Sequence, residues 1–191
     1  MNGIDVLVLL SGPLAVGKTS VRQALVDTHH FDYVRSSAYL KALSSQRLAS
    51  EGRTGLQNLG DELDQLTDYR WLLDSVAIPA FERAPSRRRW LVDAVRKLRQ
   101  VEHFRNACSN SVLHVHLTAD ESFLRERYGS RPSSSAELVP YQIAVQHPNE
   151  IASRELRSFA DIVLDTGVLT PAQVAQQIAA RIPRAQKQDD S

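Results

Sequence analysis

Residues Ile4–Leu10, IDVLVLL, form a nearly continuous apolar run that ends in Ser11-Gly12. Such a run suits a central strand buried on both faces of a parallel sheet, because a half-exposed strand would alternate apolar and polar residues. Immediately after it, Gly12-Pro13-Leu14-Ala15-Val16-Gly17-Lys18-Thr19 meets G-x-x-x-x-G-K-[ST] at every defined position. From Lys18 to Asp27 the residues Val21, Leu25 and Val26 then follow a helical pattern. The two glycines allow the backbone to wrap with its N–H groups turned inward, around phosphates. The helix adds its N-terminal amides and the positive end of its dipole. Gly12, Pro13, Ala15, Val16, Gly17, Lys18, Thr19 and Ser20 are therefore the expected nucleotide contacts. Lys18 should reach the β- and γ-phosphates, and the Thr19 hydroxyl should bind Mg²⁺.

The rest of the chain alternates strands and helices. Phe31–Arg35, Arg89–Val95, Val112–Leu117 and Asp161–Leu164 read as further strands. Helical patterns follow Arg35 through Leu40, Leu43 and Leu48, and then run from Leu56 to Phe81, after a turn at Glu51–Gly55. Others cover Asp120–Tyr128, Asn149–Phe159 and Pro171–Ile182, the last with Pro171 in its first turn. Gly129–Ser135, GSRPSSS, reads as a loop, and Arg184–Ser191 as a polar tail. This alternation over 191 residues predicts one α/β domain with a mostly parallel sheet.

Charge and cysteine content narrow the function classes. Lys plus Arg number 23 against 22 Asp plus Glu, a net charge of +1, so bulk charge gives no support to non-specific nucleic-acid binding. The run Arg87, Arg88, Arg89, Arg96, Lys97, Arg99 and Arg105 is either a solvated face or a surface for an anionic acceptor or a polynucleotide. Cys108 is the single cysteine, so there is no intramolecular disulfide and no cysteine metal site. No targeting segment and no apolar stretch of membrane-spanning length is visible, and a cytoplasmic location is expected.

Trp90-Leu91-Val92-Asp93 places a carboxylate at the C-terminal edge of a strand, where open α/β sheets bind ligands. Asp93 is the expected second group for Mg²⁺ and is counted, with Lys18, as catalytic. Arg125, Arg127 and Arg131 lie on and just after the helix beyond the fourth strand. Phosphoryl transfer needs cations in a closed site, and arginines near a mobile loop can supply them on closure. Arg125 and Arg131 are read as catalytic and Arg127 as a nucleotide contact. A solvated face pairing with Glu121 and Glu126 is the other reading. Arg96 is placed to offer its donor fork to an acceptor phosphate. Asp32 is either a turn residue or an orienter of the acceptor. Asp161 and Asp165 are expected to be structural, and His114 and His116 to be satisfied core residues.

In these segments the chain resembles the P-loop nucleotide kinases, the group holding nucleoside monophosphate kinases and dephospho-coenzyme A kinase. The likeness rests on Gly12–Thr19, on Val92-Asp93-Ala94-Val95-Arg96, which is similar to a strand ending in D-G-[IF]-R, and on the spaced arginines of Leu124–Arg131. Arg53–Leu63 is similar to an acceptor-region segment of deoxynucleotide-kinase-like members, and Ala160–Asp165 to the last strand. The resemblance implies a three-layer α/β/α P-loop NTPase fold with a five-stranded parallel sheet. It further implies a helical acceptor-binding insertion at about 36–84 and a lid at about 128–148, within one domain spanning 1–183. The implied reaction is transfer of the γ-phosphoryl group of ATP, with Mg²⁺, to a small nucleotide-type acceptor, most of all a (deoxy)nucleoside monophosphate; the other readings are a P-loop NTP-hydrolysing regulatory switch and a kinase acting on nucleic-acid ends or modified bases. Arg96, Arg35, Tyr39, Arg53 and Gln57 are the implied acceptor contacts. Ala94 stands where the family has glycine, and Val34–Lys41 lacks the Thr-Gly-Asp pattern of adenylate kinases. Arg35, Ser36, Tyr39 and Lys41 there either line a pocket or sit on a helix face.

Overall fold

The computed structural model describes residues 3–44, 52–130 and 139–182. Five strands, β1 (Val6–Ser11), β2 (Asp32–Tyr33), β3 (Arg89–Val92), β4 (Val112–Thr118) and β5 (Ile162–Asp165), form one parallel sheet in the order β2-β3-β1-β4-β5. All six residues of β1 are buried, as its unbroken apolar run requires. Its alternate side chains feed two cores. Val6, Val8 and Leu10 pack with Val21 and Leu25 of α1 (Lys18–His29), the helix that follows the glycine-framed loop. Leu7 and Leu9 pack on the other face.

The second face is covered by helices whose breaks and bounds the leucine periodicity does not mark. The expected helix from Leu56 to Phe81 is interrupted. Two helices, α2 (Ser36–Leu43) and α3 (Gly52–Leu66), are followed by Asp68 and Tyr69 at φ 47° and 63°. Left-handed residues reverse the chain without disturbing the spacing of the leucines, so periodicity does not reveal them. A π-helical stretch, Leu72–Ala77, and α4 (Ile78–Arg83) then lie against the sheet. The segment after β3 forms α5 (Leu98–Cys108), whose Val101, Phe104 and Cys108 join the same core. Burial pushes the Cys108 thiol up, which makes it an inert apolar filler.

Around β4 and β5 lie α6 (Glu121–Gly129), the short α7 (Tyr141–Ala144), α8 (Pro148–Glu155) and α9 (Pro171–Ala180). β2 is two residues long rather than five. Phe31 and Val34 at its ends are nevertheless buried, and the Val34 amide donates to the Leu91 carbonyl at 2.9 Å. β3 stops at Val92, which leaves Asp93 outside the ladder. The reading of residues 45–48, of 131–135 and of the 184–191 tail falls outside the described residues.

The basic run is divided among acidic partners. Arg87 pairs with Asp32 at 3.6 Å, Arg88 with Asp5 at 2.9 Å, Arg99 with Asp68 at 2.9 Å and Arg105 with Asp161 at 2.8 Å. Exposed pairs of this kind add little stability, but they offset much of the cationic charge along this run, where Arg89 reaches, among the described residues, only the His29 carbonyl at 3.4 Å. No described helix is long and apolar enough to cross a membrane.

His114 and His116 point from β4 to one hydroxyl. The Phe159 carbonyl can only accept, so neutral His114 carries its proton on Nδ1, 3.2 Å away. Its Nε2 then accepts from Ser11 Oγ at 2.8 Å, and Ser11 Oγ in turn accepts from His116 Nδ1 at 3.0 Å. Burial, together with the nearby His114, Lys18 and Arg157, pushes His116 down to about 4. The folded protein therefore holds this imidazole neutral, while the unfolded chain takes up a proton below about pH 6.5. The expected outcome is a denaturation midpoint that falls as pH drops from about 6.5 toward 4. His116→Gln should flatten that fall, as read by urea unfolding across the window.

Candidate active site

The loop between β1 and α1 folds back on its own lysine. Gly12 has φ 141° and Gly17 φ 93°, conformations that residues with side chains rarely adopt. At Gly12 space also forbids a side chain, since a Cβ there would lie 2.5 Å from the Leu117 carbonyl oxygen. Ala15 takes a positive φ of 65°, a strained conformation at the centre of the loop. Lys18 Nζ donates to the carbonyls of Gly12 and Pro13, the latter at 2.9 Å. Above the loop opens a cleft of about 930 Å³, lined by residues 14–21, Tyr33, Asp93, Arg96, Arg127, Glu150 and the loop from Thr166 to Pro171.

Asp93 is held in this cleft by two donors. Arg22 Nη1 donates to its Oδ2 at 3.0 Å, and the Tyr33 hydroxyl donates to its Oδ1 at 2.8 Å. The Arg22 guanidinium lies over the Tyr33 ring, 4.5 Å from its centroid. Burial first, then the charge of Asp93, pushes the Tyr33 hydroxyl up to about 12, so it remains a donor at neutral pH. Thr19 and Asp93 both line the cleft and offer hard oxygens, the donor type Mg²⁺ prefers. Among the described residues there is no cluster of three or more His, Cys, Asp or Glu that would bind a metal alone. A divalent ion would therefore depend on Thr19, Asp93 and the phosphates of a nucleotide.

Two elements distant in sequence fasten the loop from the sides. The Thr166 hydroxyl, just past β5, donates to the Val16 carbonyl at 2.8 Å. Arg127 of α6 reaches Thr166 with Nη1 on its hydroxyl at 3.0 Å and Nη2 on its carbonyl at 2.7 Å. From α8, Ser153 Oγ donates to the Gly12 carbonyl at 3.0 Å. Glu150, only 6% exposed, accepts the Leu14 amide on Oε2 at 2.8 Å and faces Arg96 across 3.8 Å. Asn149 Nδ2 donates to Asp61 of α3 at 2.6 Å. A buried carboxylate beside an anion site is costly unless paired, and Glu150 is paired on both oxygens.

A second recess of about 220 Å³ adjoins the cleft and shares Ser36, Ser37, Ala94 and Arg96 with it. Leu40, Leu56 and Trp71 line it, together with Asp61, Asp64, Gln100 and Asn149.

Of the residues expected from the sequence, the structure brings together the phosphate loop, Asp93, Arg96 and Arg127. Arg125 is exposed on α6 and lies outside the lining of both recesses, because two residues along a helix turn about 200° and Arg127 takes the inward face. Arg35 is likewise exposed and outside both linings. Tyr39 packs in the core, with its ring stacked on Trp71 at 6.1 Å, and so backs the second recess without lining it. Arg131 lies outside the described residues, as do the side chains of Arg53 and Gln57 on α3. Asp32 stays at the far end of its strand with Arg87. Asp161 accepts the His114 amide at 2.7 Å, and Asp165 accepts the Gly167 amide at 2.7 Å, both structural as expected.

Arg22, Tyr33, Glu150 and Thr166 were not singled out. Arg22 had a signal, because it stands one turn beyond Lys18 on the same helix. Tyr33 had a weaker one, as strand-order knowledge would have set β2 beside β3. Glu150 meets its partner across 136 positions, and no local pattern announces that.

Arg22 and Tyr33 hold Asp93 in one geometry, and supporting residues of this kind typically carry about 10- to 100-fold in activity. Arg22→Ala and Tyr33→Phe should each lower kcat by about tenfold with little change in KM for ATP. The double variant should lose less than the product, as steady-state kinetics will show.

No family model matches the chain, and no curated protein matches it. Solved structures do. A gluconokinase from Sinorhizobium meliloti 1021 is similar with a TM-score of 0.57 at 18% identity, covering 93% of this chain and 91% of its own. A sugar kinase from Janibacter sp. HTCC2649 gives 0.57 at 17%, covering 92% of both. The tunicamycin resistance protein of Deinococcus radiodurans gives 0.55 at 20%, covering 93% and 95%. Sheet order, glycine-framed loop and these neighbours agree: the chain has the three-layer α/β/α fold of the P-loop NTPases.

Proposed function

We propose that this chain is an ATP-dependent phosphotransferase whose acceptor is a small nucleotide-type molecule, a nucleoside or deoxynucleoside monophosphate. The observation that supports it most is the pair of adjoining recesses. One is a cleft over the phosphate loop, and the other a smaller pocket among the helices of residues 36–84, with the Arg96 guanidinium at their junction. An NTP-hydrolysing switch has no use for the second recess. In this reading residues 36–84 are the acceptor-binding insertion and residues 128–148 the lid of one domain spanning 1–183, working in the cytoplasm.

The roles follow from position. The loop amides and Lys18 hold the donor phosphates, while Arg127 and the Thr166–Pro171 loop take the far end of ATP. Arg96 offers its fork to the acceptor phosphate. One oxygen of that phosphate forms the new bond to the γ-phosphorus as the bond to the bridging oxygen breaks, releasing ADP and a diphosphate product. Mg²⁺, when bound through Thr19 and Asp93, neutralises phosphate charge. Positioning and electrostatics carry the rate, and no general base is needed. Arg131 of the lid adds a cation on closure. A sugar-type acceptor with a hydroxyl nucleophile is the second reading, favoured by Asp61 and Asp64 in the pocket, which suit hydroxyl donors.

ADP formation from Mg·ATP, with and without a panel of nucleoside monophosphates, dephospho-coenzyme A and sugar acids, tests the proposal. A phosphorylated nucleotide product supports it, a phosphorylated sugar supports the second reading, and hydrolysis indifferent to every acceptor refutes both. Lys18→Ala should abolish turnover, and Asp93→Asn should reduce it far more than it reduces stability. Arg131→Ala should lower kcat more than ATP affinity, as single-turnover kinetics will separate.

A further inference from the structure

The floor of the second recess carries a polar network whose donors and acceptors are fixed in direction. The backbone N–H groups of Arg96 and Lys97 donate to Gln100 Oε1 at 2.9 and 3.3 Å. That sets the Gln100 amide one way round, and its Nε2 donates to Asp64 Oδ1 at 2.9 Å. Trp71 Nε1, which can only donate, reaches the same oxygen at 2.7 Å. Oδ1 is thus occupied twice. Asp64 Oδ2 has no hydrogen-bond partner among the described residues, although Asp64 is only 6% exposed and lines the recess. That oxygen opens into the recess and is placed to accept from a ligand there.

The walls indicate what carries that donor. The Trp71 ring is buttressed by Tyr39, stacked at 17°, and Leu40 and Leu56 complete an apolar lining. A polyol could reach the polar side of the recess but would leave Trp71, Leu40 and Leu56 facing hydroxyls, whereas a planar heterocycle would cover them with its faces and present its polar edge to Asp64. Arg96, at the mouth toward the cleft, stands where the phosphate of the same molecule would be.

We propose that Asp64 selects an acceptor nucleotide with an amino-bearing base, its Oδ2 accepting from an exocyclic NH₂ of the cytosine or adenine type. An oxo group at that point, as in a uracil- or hypoxanthine-type base, would set lone pair against lone pair. This inference rests on the nucleotide-acceptor reading above.

Asp64→Asn inverts one atom. Its Oδ1 still accepts from Trp71 and Gln100, so those donors force Nδ2 into the place of Oδ2, and a hydrogen-bond acceptor facing the ligand becomes a donor. The experiment measures kcat/KM for CMP against UMP and for AMP against IMP, with the deoxy forms, in wild type and in Asp64→Asn. Wild type should favour the amino-bearing member by about 10- to 100-fold, and Asp64→Asn should reverse the order. Nucleotides phosphorylated without that preference, or a variant that weakens both members alike, would overturn the role of Asp64 and leave the nucleotide reading standing. Wild type that phosphorylates none of them would overturn both. Should Asp64→Asn lose its thermal transition, the wild-type preference alone decides.

Discussion

From Val6 to Ser11 strand β1 has no exposed residue, so the chain that leaves it at Gly12 emerges from the middle of the sheet, flush against β4. The Leu117 carbonyl stands where any side chain at Gly12 would begin. The backbone must therefore turn outward at once in a conformation open to glycine, and residues 14–19 of the loop that results line the cleft. Every other part of the site is positioned against that loop. α1 starts from it, Thr166 and Ser153 bind its carbonyls, and Glu150 takes its Leu14 amide.

Two carboxylates, Asp93 and Glu150, line this cleft. Each is matched locally. Asp93 receives Arg22 and Tyr33, and Glu150 receives a backbone amide and faces Arg96. The pairings cost less than free buried charges and hold the side chains in one geometry before any ligand arrives. α8 has a further consequence. Through Asn149 it touches α3, and through Glu150 and Ser153 the glycine-framed loop, so one short helix spans the two recesses.

Much of this was legible in the sequence because it is local. The apolar run, the G-x-x-x-x-G-K-T loop and the following helical pattern occupy about 25 consecutive residues, and backbone physics alone ties them together. Asp93 could be found because a carboxylate closing an apolar strand has a definite address at the sheet edge. The helical region between Leu56 and Phe81 was harder. The reversal at Asp68 and Tyr69 carries no glycine or proline to mark it, and its leucines keep a helical spacing on both sides. Arg125 and Arg127 were indistinguishable as neighbours in a chain, and only the packing of α6 decided which one faces Thr166.

The sequence by itself determined the strands, the glycine-framed loop and the strand-end aspartate, since each is encoded by residues close enough to constrain one another's backbone; the order of the strands in the sheet was not among them. The tertiary structure decided the rest: the donors that hold Asp93, the helix that fastens the loop, and the pocket where Asp64 keeps one oxygen open. Most of these depend on contacts across tens to more than a hundred positions. Their partners are chosen by which helix faces meet over the sheet, and no short-range pattern of residue types carries that information.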